Sequence, residues 1–388
     1  MGVNVVYLTL LEFSILVTVA EALSLILNRY RYPSIVGELL TGIALSPYAL
    51  GGLLNTVLKV DLFSINEYII FLSEFSVVLL LFASGLEHGL SSLRQGGLMG
   101  LMAAVAGAVA PYVIVFEYAV NAGFNPGAAS LIALTTAPTS LAVVAGVVER
   151  EGLQRHPSTG VLIAAASVDD VVALIMLSLV LMSPKSSSSG MVWGLVKIVA
   201  LWIIFLTASI FIVPRLLNRL NEHLVIYASL VVLFGLVVAM TVAGFSAVIA
   251  AFIAGVAVAE SRVSGRIRES AGALLAIFGS IFFITIGLQM NLETLTSLKV
   301  IAQSLAISTL AILAKMAGVY PFAYAKLRNT SHALSASLGM VPRGEMGLVV
   351  ASIGLSGGVI NQSEYSIALL MVLVTTIIGS ITYRRSIR

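Results

Sequence analysis

The sequence predicts an all-α polytopic membrane protein: thirteen transmembrane helices arranged as two inverted five-helix repeats with crossed discontinuous helices. Three observations carry this expectation. Hydrophobic residues make up 59% of the 388 and charged residues only 10%, with a mean hydropathy of +1.07, far from the balance of a soluble domain. The basic residues fall in loops that keep register with the apolar windows. Two of those windows, at corresponding places in the two halves, are interrupted by proline and polar groups.

Apolar windows punctuated by Gly, Pro and charges place the spans at 4–28, 33–49, 66–86, 97–119, 126–147, 158–183, 191–214, 223–243, 246–260, 271–290, 300–322, 332–354 and 363–383. Fifteen of the 21 lysines and arginines then fall in loops or the tail on one side, from Arg29 and Arg31 through Arg94 to Arg384, Arg385 and Arg388. Only Lys59, Lys185 and Lys299 fall on the other, and Lys197, Lys315 and Arg343 lie inside spans. One span more or fewer would destroy that imbalance, so an odd number is expected. The N-terminus is then outside and the C-terminus cytoplasmic, as for a multi-pass protein of the plasma membrane. The first residues, Met1-Gly-Val-Asn, lack a positive region and a cleavage site, so the first apolar run reads as a retained span and not a signal peptide; no myristoylation signal follows Met1-Gly2.

Internal similarity relates the halves. Leu81-Phe82-Ala83-Ser84-Gly85-Leu86-Glu87 ends the third span and Phe283-Ile284-Thr285-Ile286-Gly287-Leu288-Gln289 the tenth. Gly37-Glu38-Leu39-Leu40-Thr41-Gly42 in the second span pairs with Ala250-Ala251-Phe252-Ile253-Ala254-Gly255 in the ninth. Spans two to six thus pair with nine to thirteen, and an offset of seven spans inverts one half.

The same pairing sets the fifth span against the twelfth, the two interrupted ones. The fifth contains Thr135-Thr136-Ala137-Pro138-Thr139-Ser140 and the twelfth Gly339-Met340-Val341-Pro342-Arg343-Gly344-Glu345. Proline lacks the donor that a continuous helix needs, and the hydroxyls can satisfy freed backbone groups. Paired broken helices point to a midplane binding site, against the plainer reading of two proline kinks.

Asp169 and Asp170 are the only charges between Ser158 and Ser183. Each costs roughly 2.5–3.5 kcal/mol at a helix centre, so an acid there implies a function and a partner. Lys315, too deep in its span to reach water, is the expected partner; a purely structural ion pair is the plain alternative. Arg343 and Glu345 are expected to satisfy each other or the frayed ends of the twelfth span. Lys197 reads as a snorkelling residue. Glu12, Glu38, Glu74 and Glu117 have no evident partner and are assigned interhelical hydrogen bonds or partial protonation. His156 and His332 are placed in loops, and His88 and His223 near span ends, without function.

The composition also excludes classes. With no cysteine, no disulfide, zinc site or thiol nucleophile can be proposed. The net charge of +3, spread over short loops, argues against nucleic acid as a partner. No cofactor is expected.

With these residues assembled, the chain resembles the monovalent cation/proton antiporter family 2, in particular NapA-type sodium/proton antiporters and their glutathione-gated potassium/proton relatives. The marks are Ser167-Val168-Asp169-Asp170-Val171, Lys315, Gly339 to Glu345, Thr139-Ser140, and Pro33-Ser34-Ile35-Val36-Gly37-Glu38. The resemblance covers essentially the whole chain and implies the sodium/proton antiporter fold. It implies a core domain at 97–183 and 300–383, a dimerisation domain at 4–86 and 223–290, a linker helix at 191–214, a homodimer in the bilayer, and an elevator-like motion of the core. By the same resemblance Asp170 binds the cation or a proton, and Asp169 pairs with Lys315. Transient sodium would be held by Asp170 and Asp169 with the Thr139 and Ser140 hydroxyls and unwound carbonyls. Pro138, Pro342, Arg343 and Glu345 would support the broken helices. Release of Asp169 from Lys315 would add a second proton per cycle and make exchange electrogenic; the alternative gives Lys315 a mainly structural role.

Departures are visible too. Pro138 stands where many relatives have a small non-proline residue, Leu141 to Val144 lack a further hydroxyl, and only a short basic tail follows Tyr383. The expected function is antiport of sodium, or lithium, for protons, serving pH homeostasis, with potassium/proton exchange as the alternative. A sodium-coupled solute symporter and an intramembrane aspartyl protease are more distant. The last requires carboxylates facing each other, whereas neighbours on one helix diverge by about 100°. The protein is therefore expected not to be an enzyme.

Overall fold

The computed structural model describes residues 4–95, 97–182, 188–221 and 223–387, without the side chains of 88, 90–95, 182, 188–195 and 198. Met1-Gly2, Lys185 and Arg388, used in the sequence reading, lie outside the described residues, as do the side chains of His88 and Arg94.

Sixteen α-helices and one short 3-10 turn, with no strand, make up the described residues. They are α1 (Val5–Arg29), α2 (Ser34–Ala44), α3 (Leu50–Leu58), α4 (Glu67–Gln95), α5 (Gly97–Asn121), α6 (Pro126–Thr135), α7 (Leu141–Arg150) and α8 (Pro157–Met182). After them come α9 (Ser188–Leu217), α10 (Val225–Val242), α11 (Ala247–Ala259), α12 (Ser264–Leu288), α13 (Leu298–Leu327), α14 (Thr330–Gly339), α15 (Glu345–Ser356) and α16 (Gln362–Ser386).

Nine of these, α1, α4, α5, α8, α9, α10, α12, α13 and α16, contain stretches long and apolar enough to cross a membrane. The other four expected spans correspond to α2 and α11, with 11 and 13 residues, and to the split pairs α6/α7 and α14/α15. These fall short of a full crossing by length alone.

The boundaries have local causes. Asn4 caps α1 by accepting from Val6 N–H, and Asn361 with Glu364 forms a reciprocal capping box at the start of α16. Arg328 ends α13 in the left-handed conformation (φ 53°). Gly89, at φ 47°, kinks α4. Helix α3, with Gly51 and Gly52 in its first turn, lies between the expected spans 33–49 and 66–86 and was not foreseen. In the structure those glycines seat the helix tightly, since a Cβ on either would collide with the carbonyl of Leu45 or Pro47.

Internal packing divides the chain into two compact units. The first comprises Met1–Ser73, Gly96–Ala173 and Ser280–Arg388. Its α5 and α13 run against each other so closely that a Cβ on Gly318 would strike the Ala106 carbonyl. A second cluster in this unit joins Leu16, Ala20, Ile69, Ile281, Ile284 and Leu288, all fully buried. The second unit comprises Glu74–Gln95 and Leu174–Gly279. Within it Arg268 donates to the Leu86 carbonyl at 2.9 Å, Ser76 Oγ donates to the Phe278 carbonyl, and α11 is buried from Val248 to Val258. Division by packing is a separate matter from the expected division by function into core, dimerisation domain and linker.

The inverted repeat leaves a direct trace. Gly42 of α2 packs on Gly287 of α12, and a Cβ on either would strike the other helix's backbone, at the Ile284 and Leu39 carbonyls respectively. Gly255 of α11 packs on Gly85 of α4 in the same manner, against the Phe82 and Phe252 carbonyls. These are the four glycines of the paired motifs, and each motif meets the counterpart of its sequence neighbour.

Candidate ion-binding site

The two broken helices stop for reasons written in their sequences. After α6, Thr136 and Ala137 N–H close back on Ala133 and Leu134, Pro138 has no N–H to continue the ladder, and Ser140 caps α7 by accepting from Val143 N–H. After α14, Met340 and Val341 N–H close on Ser337 and Leu338, and Pro342-Arg343-Gly344 leads into α15.

The breaks are stitched to each other. Ser140 N–H donates to the Pro342 carbonyl at 2.9 Å, and Ser140 Oγ donates to Glu345 Oε2 at 2.9 Å. Gly344 lies against Ser140 with no room for a Cβ. Thr139 Oγ1 reaches both Asp169 Oδ2 at 2.6 Å and the Met340 carbonyl at 3.0 Å. It has one proton to give, and the shorter contact to a carboxylate is the stronger claim.

On α8, Asp169 is fully buried and Asp170 is 2% exposed. Lys315 of α13, also fully buried, places Nζ 2.7 Å from Asp169 Oδ2 and 2.6 Å from the Ala137 carbonyl. The ammonium thus serves two ends at once, the carboxylate and an orphan carbonyl of the first break. Gly107 of α5 lies against the Lys315 stem, and a Cβ there would collide with Val319 one turn further along α13.

Arg343 is fully buried as well. It donates to the Met340 carbonyl at 3.0 Å and to the Ala311 carbonyl at 3.4 Å, and its own carbonyl accepts from Thr376 Oγ1. Met340 is the C-cap of α14, whereas Ala311 belongs to α13. Glu345 meets Ser140 across the crossing.

The expected site residues therefore separate into two groups. Thr139, Asp169 and Lys315 form one hydrogen-bonded cluster, while Ser140 joins Pro342 and Glu345 across the crossing and Arg343 ties the second break to α13 and α16. Asp170 stands apart from both. It hydrogen-bonds to neither Thr139 nor Ser140, and its buried Oδ1 lacks a hydrogen-bond partner, as does Asp169 Oδ1. An unpartnered buried carboxylate oxygen has lost its water without replacement, a debt that a proton or a cation would settle.

Two supports escaped the sequence reading. Thr376 holds the Arg343 carbonyl, and Gly379 lies so close to Pro342 that a Cβ would collide with the ring. The signal was available as Thr375-Thr376 and Gly379, one turn apart in an apolar span.

The remaining embedded residues differ from expectation in their surroundings. Glu12 accepts from Ser64 N–H at 2.9 Å, so its partner is loop backbone. Glu117 pairs within its own helix with Asn121 at 3.0 Å. Glu74 is exposed and Glu38 half-buried. His332 lies in the first turn of α14 and not in a loop, and its ring meets that of His156 edge-on at 5.0 Å.

Apolar helices, an inverted repeat, two crossed broken helices and a buried acid beside their crossing together define a secondary transporter. Residues 14–386 match the model of the sodium/hydrogen exchanger, transmembrane family, and the chain belongs to that family. It is similar to a Na(+)/H(+) antiporter of Enterococcus hirae, 28% identical over 362 residues and covering 91% of each chain. It is also similar to the Na(+)/H(+)-K(+) antiporter GerN of Bacillus cereus, 25% identical over 359 residues that cover 90% and 89% of the two. Among solved structures, the sodium proton antiporter MjNhaP1 of Methanocaldococcus jannaschii superposes with a TM-score of 0.69 over 95% of this chain and 94% of that one. At 15% identity that likeness establishes the shared fold alone.

Proposed function

We propose that the protein is a secondary active antiporter that exchanges sodium for protons at Asp170. The observation that carries this reading is a buried carboxylate with an unpartnered oxygen, placed beside a neutralised Asp169–Lys315 pair. One anionic site open to either a proton or a hard cation makes the two compete. Competition at an alternately exposed site suffices for exchange, provided that the empty charged site does not cross.

Asp169 has a second acceptor, Oδ1, without a partner, so it can turn toward an ion while Thr139 and the Met340 carbonyl remain near. Lys315, left without its carboxylate in a low-dielectric interior, releases a proton, giving a second proton per cycle and net charge movement. Ser140, Pro138, Pro342, Arg343 and Glu345 hold the crossing and contribute rigidity. The wider frame of this reading has thirteen spans and a plasma-membrane homodimer with its C-terminus in the cytoplasm. A core at 97–183 and 300–383 moves as an elevator against a dimerisation domain at 4–86 and 223–290, joined by the linker helix 191–214.

Potassium is the second reading, favoured by the name of the Bacillus relative as a Na(+)/H(+)-K(+) antiporter. Proton flux from proteoliposomes, with sodium, lithium and potassium added in turn under a clamped membrane potential, tests both. Sodium-driven flux that responds to voltage is expected. Flux driven by potassium alone selects the second reading, and no cation-driven flux rejects antiport.

A further inference from the structure

A second charged site lies away from the crossing of the broken helices, where the ends of α1 and α16 meet beside the far end of α7. Arg29, Tyr30, Arg31 and Arg384 line a surface cavity of about 350 Å³, within the size range of small-ligand sites. Three arginines therefore line one small volume. Arg31 pairs with Glu151 at 2.5 Å and remains half-exposed. Among the described residues, no ion pair joins Arg29 or Arg384 to a carboxylate.

The backbone fixes this convergence. Tyr30 and Tyr32 N–H close on the Leu27 carbonyl and Arg31 N–H on Asn28, which turns the chain sharply at the end of α1. Arg31 adopts the left-handed conformation there (φ 65°). Arg150 of α7 donates to Asn28 Oδ1 at 2.8 Å and braces the same turn. Three like charges held together with Glu151 as the one acid paired among them raise the local potential and call for an anion.

The level of the cavity names the class of anion. Helices α1 and α16 each have 25 residues, about 37 Å of helix against a hydrocarbon core of about 30 Å. Their last turns therefore emerge at the depth of lipid phosphates. Tyr30, 71% exposed, has the amphipathic ring that settles at that depth. The end concerned is the one on which the loop arginines accumulate. Guanidinium groups grip phosphate through paired N–H donors, and basic pockets between helices hold lipid headgroups in this way.

We propose that Arg29, Arg31 and Arg384 form a phosphate-binding site that takes the headgroup of an anionic phospholipid. The site is independent of the exchange site and would exist whichever cation is transported.

The test is the melting temperature of the purified full-length protein in a neutral detergent, titrated with phosphatidylglycerol, phosphatidylcholine or inorganic phosphate. Phosphatidylglycerol is expected to raise it saturably and phosphatidylcholine to do so far less. At about fivefold in affinity per guanidinium, Arg29→Gln with Arg384→Gln shifts the half-saturating lipid concentration about 25-fold. Arg215→Gln with Arg219→Gln, at the end of α9, removes the same charge elsewhere and leaves it unchanged. A saturable response to inorganic phosphate, lost in the Arg29/Arg384 variant, assigns the site to a free anion and overturns the lipid headgroup as its occupant. Absence of any response, or equal losses in the two variants, overturns the site.

Discussion

Lys315 Nζ and Asp169 Oδ2 meet at 2.7 Å with both side chains fully buried, although the two residues are 146 positions apart in sequence. Removing one partner from such a pair leaves a charge in the interior and costs about 3–5 kcal/mol. Lys315→Met is therefore expected to lower the melting temperature sharply in detergent. Asp169→Asn combined with Lys315→Met removes both charges and should recover most of the loss. Equal destabilisation by the single and double variants would mean that the pair does not act as a unit.

The Thr139 hydroxyl bridges the first break, Asp169 and the Met340 carbonyl. Thr139→Val keeps the shape and removes the donor, which is worth about 1–3 kcal/mol when a buried acceptor is left unsatisfied. A rise of roughly tenfold in the apparent KM for sodium is expected, with the fold intact by melting curve. An unchanged KM would remove Thr139 from the site.

Close helix crossings supply a third expectation. Gly42→Ala, Gly85→Ala, Gly255→Ala and Gly287→Ala each force a methyl into backbone, and each should cost about 1–3 kcal/mol. Gly235→Ala on α10 meets nothing within 4 Å and should cost nothing. Thermal melting of the five variants separates the two groups.

His156 gives a pH dependence outside the spans. Its Nδ1 accepts from Ser158 N–H at 3.3 Å and contacts Ser158 Oγ at 2.6 Å, so the neutral ring caps the start of α8. Burial first, then the nearby His332, lowers its pKa below the ordinary 6.5. The unfolded chain thus takes up the proton first as pH falls. Stability contributed by the neutral ring is fully present above about pH 6.5 and declines as pH drops from there toward the folded-state value. Melting temperature followed from pH 8 to pH 5 should fall less in His156→Gln than in the parent. Parallel curves would show that this ring does not titrate against folding.

The legible and illegible parts of the molecule differ in kind. Apolar length marked nine long helices, and Pro138 and Pro342 marked both breaks, because a missing N–H acts locally. That Lys315 would meet one of the two aspartates was legible because opposite charges in apolar helices have few alternatives; the choice of Asp169 over Asp170 came only with the family resemblance. What stayed hidden depended on approach in three dimensions. The seat that Thr376 and Gly379 make for the second break shows only when α16 is packed beside it. Helix α3 falls between the expected spans 33–49 and 66–86, and the contacts that need Gly51 and Gly52 are backbone carbonyls that only the folded chain brings near. The loop partner of Glu12, 52 residues away at Ser64, follows no periodicity at all.

The most direct measurement of the central claim is sodium-driven proton flux in proteoliposomes containing Asp170→Asn, beside the parent at matched protein content and with folding checked by melting curve. The substitution keeps the size of the side chain and removes the charge for which sodium and proton compete. Loss of flux to the level of empty vesicles is the expected result. Flux retained at the parent rate would contradict the assignment of Asp170 as the exchange site.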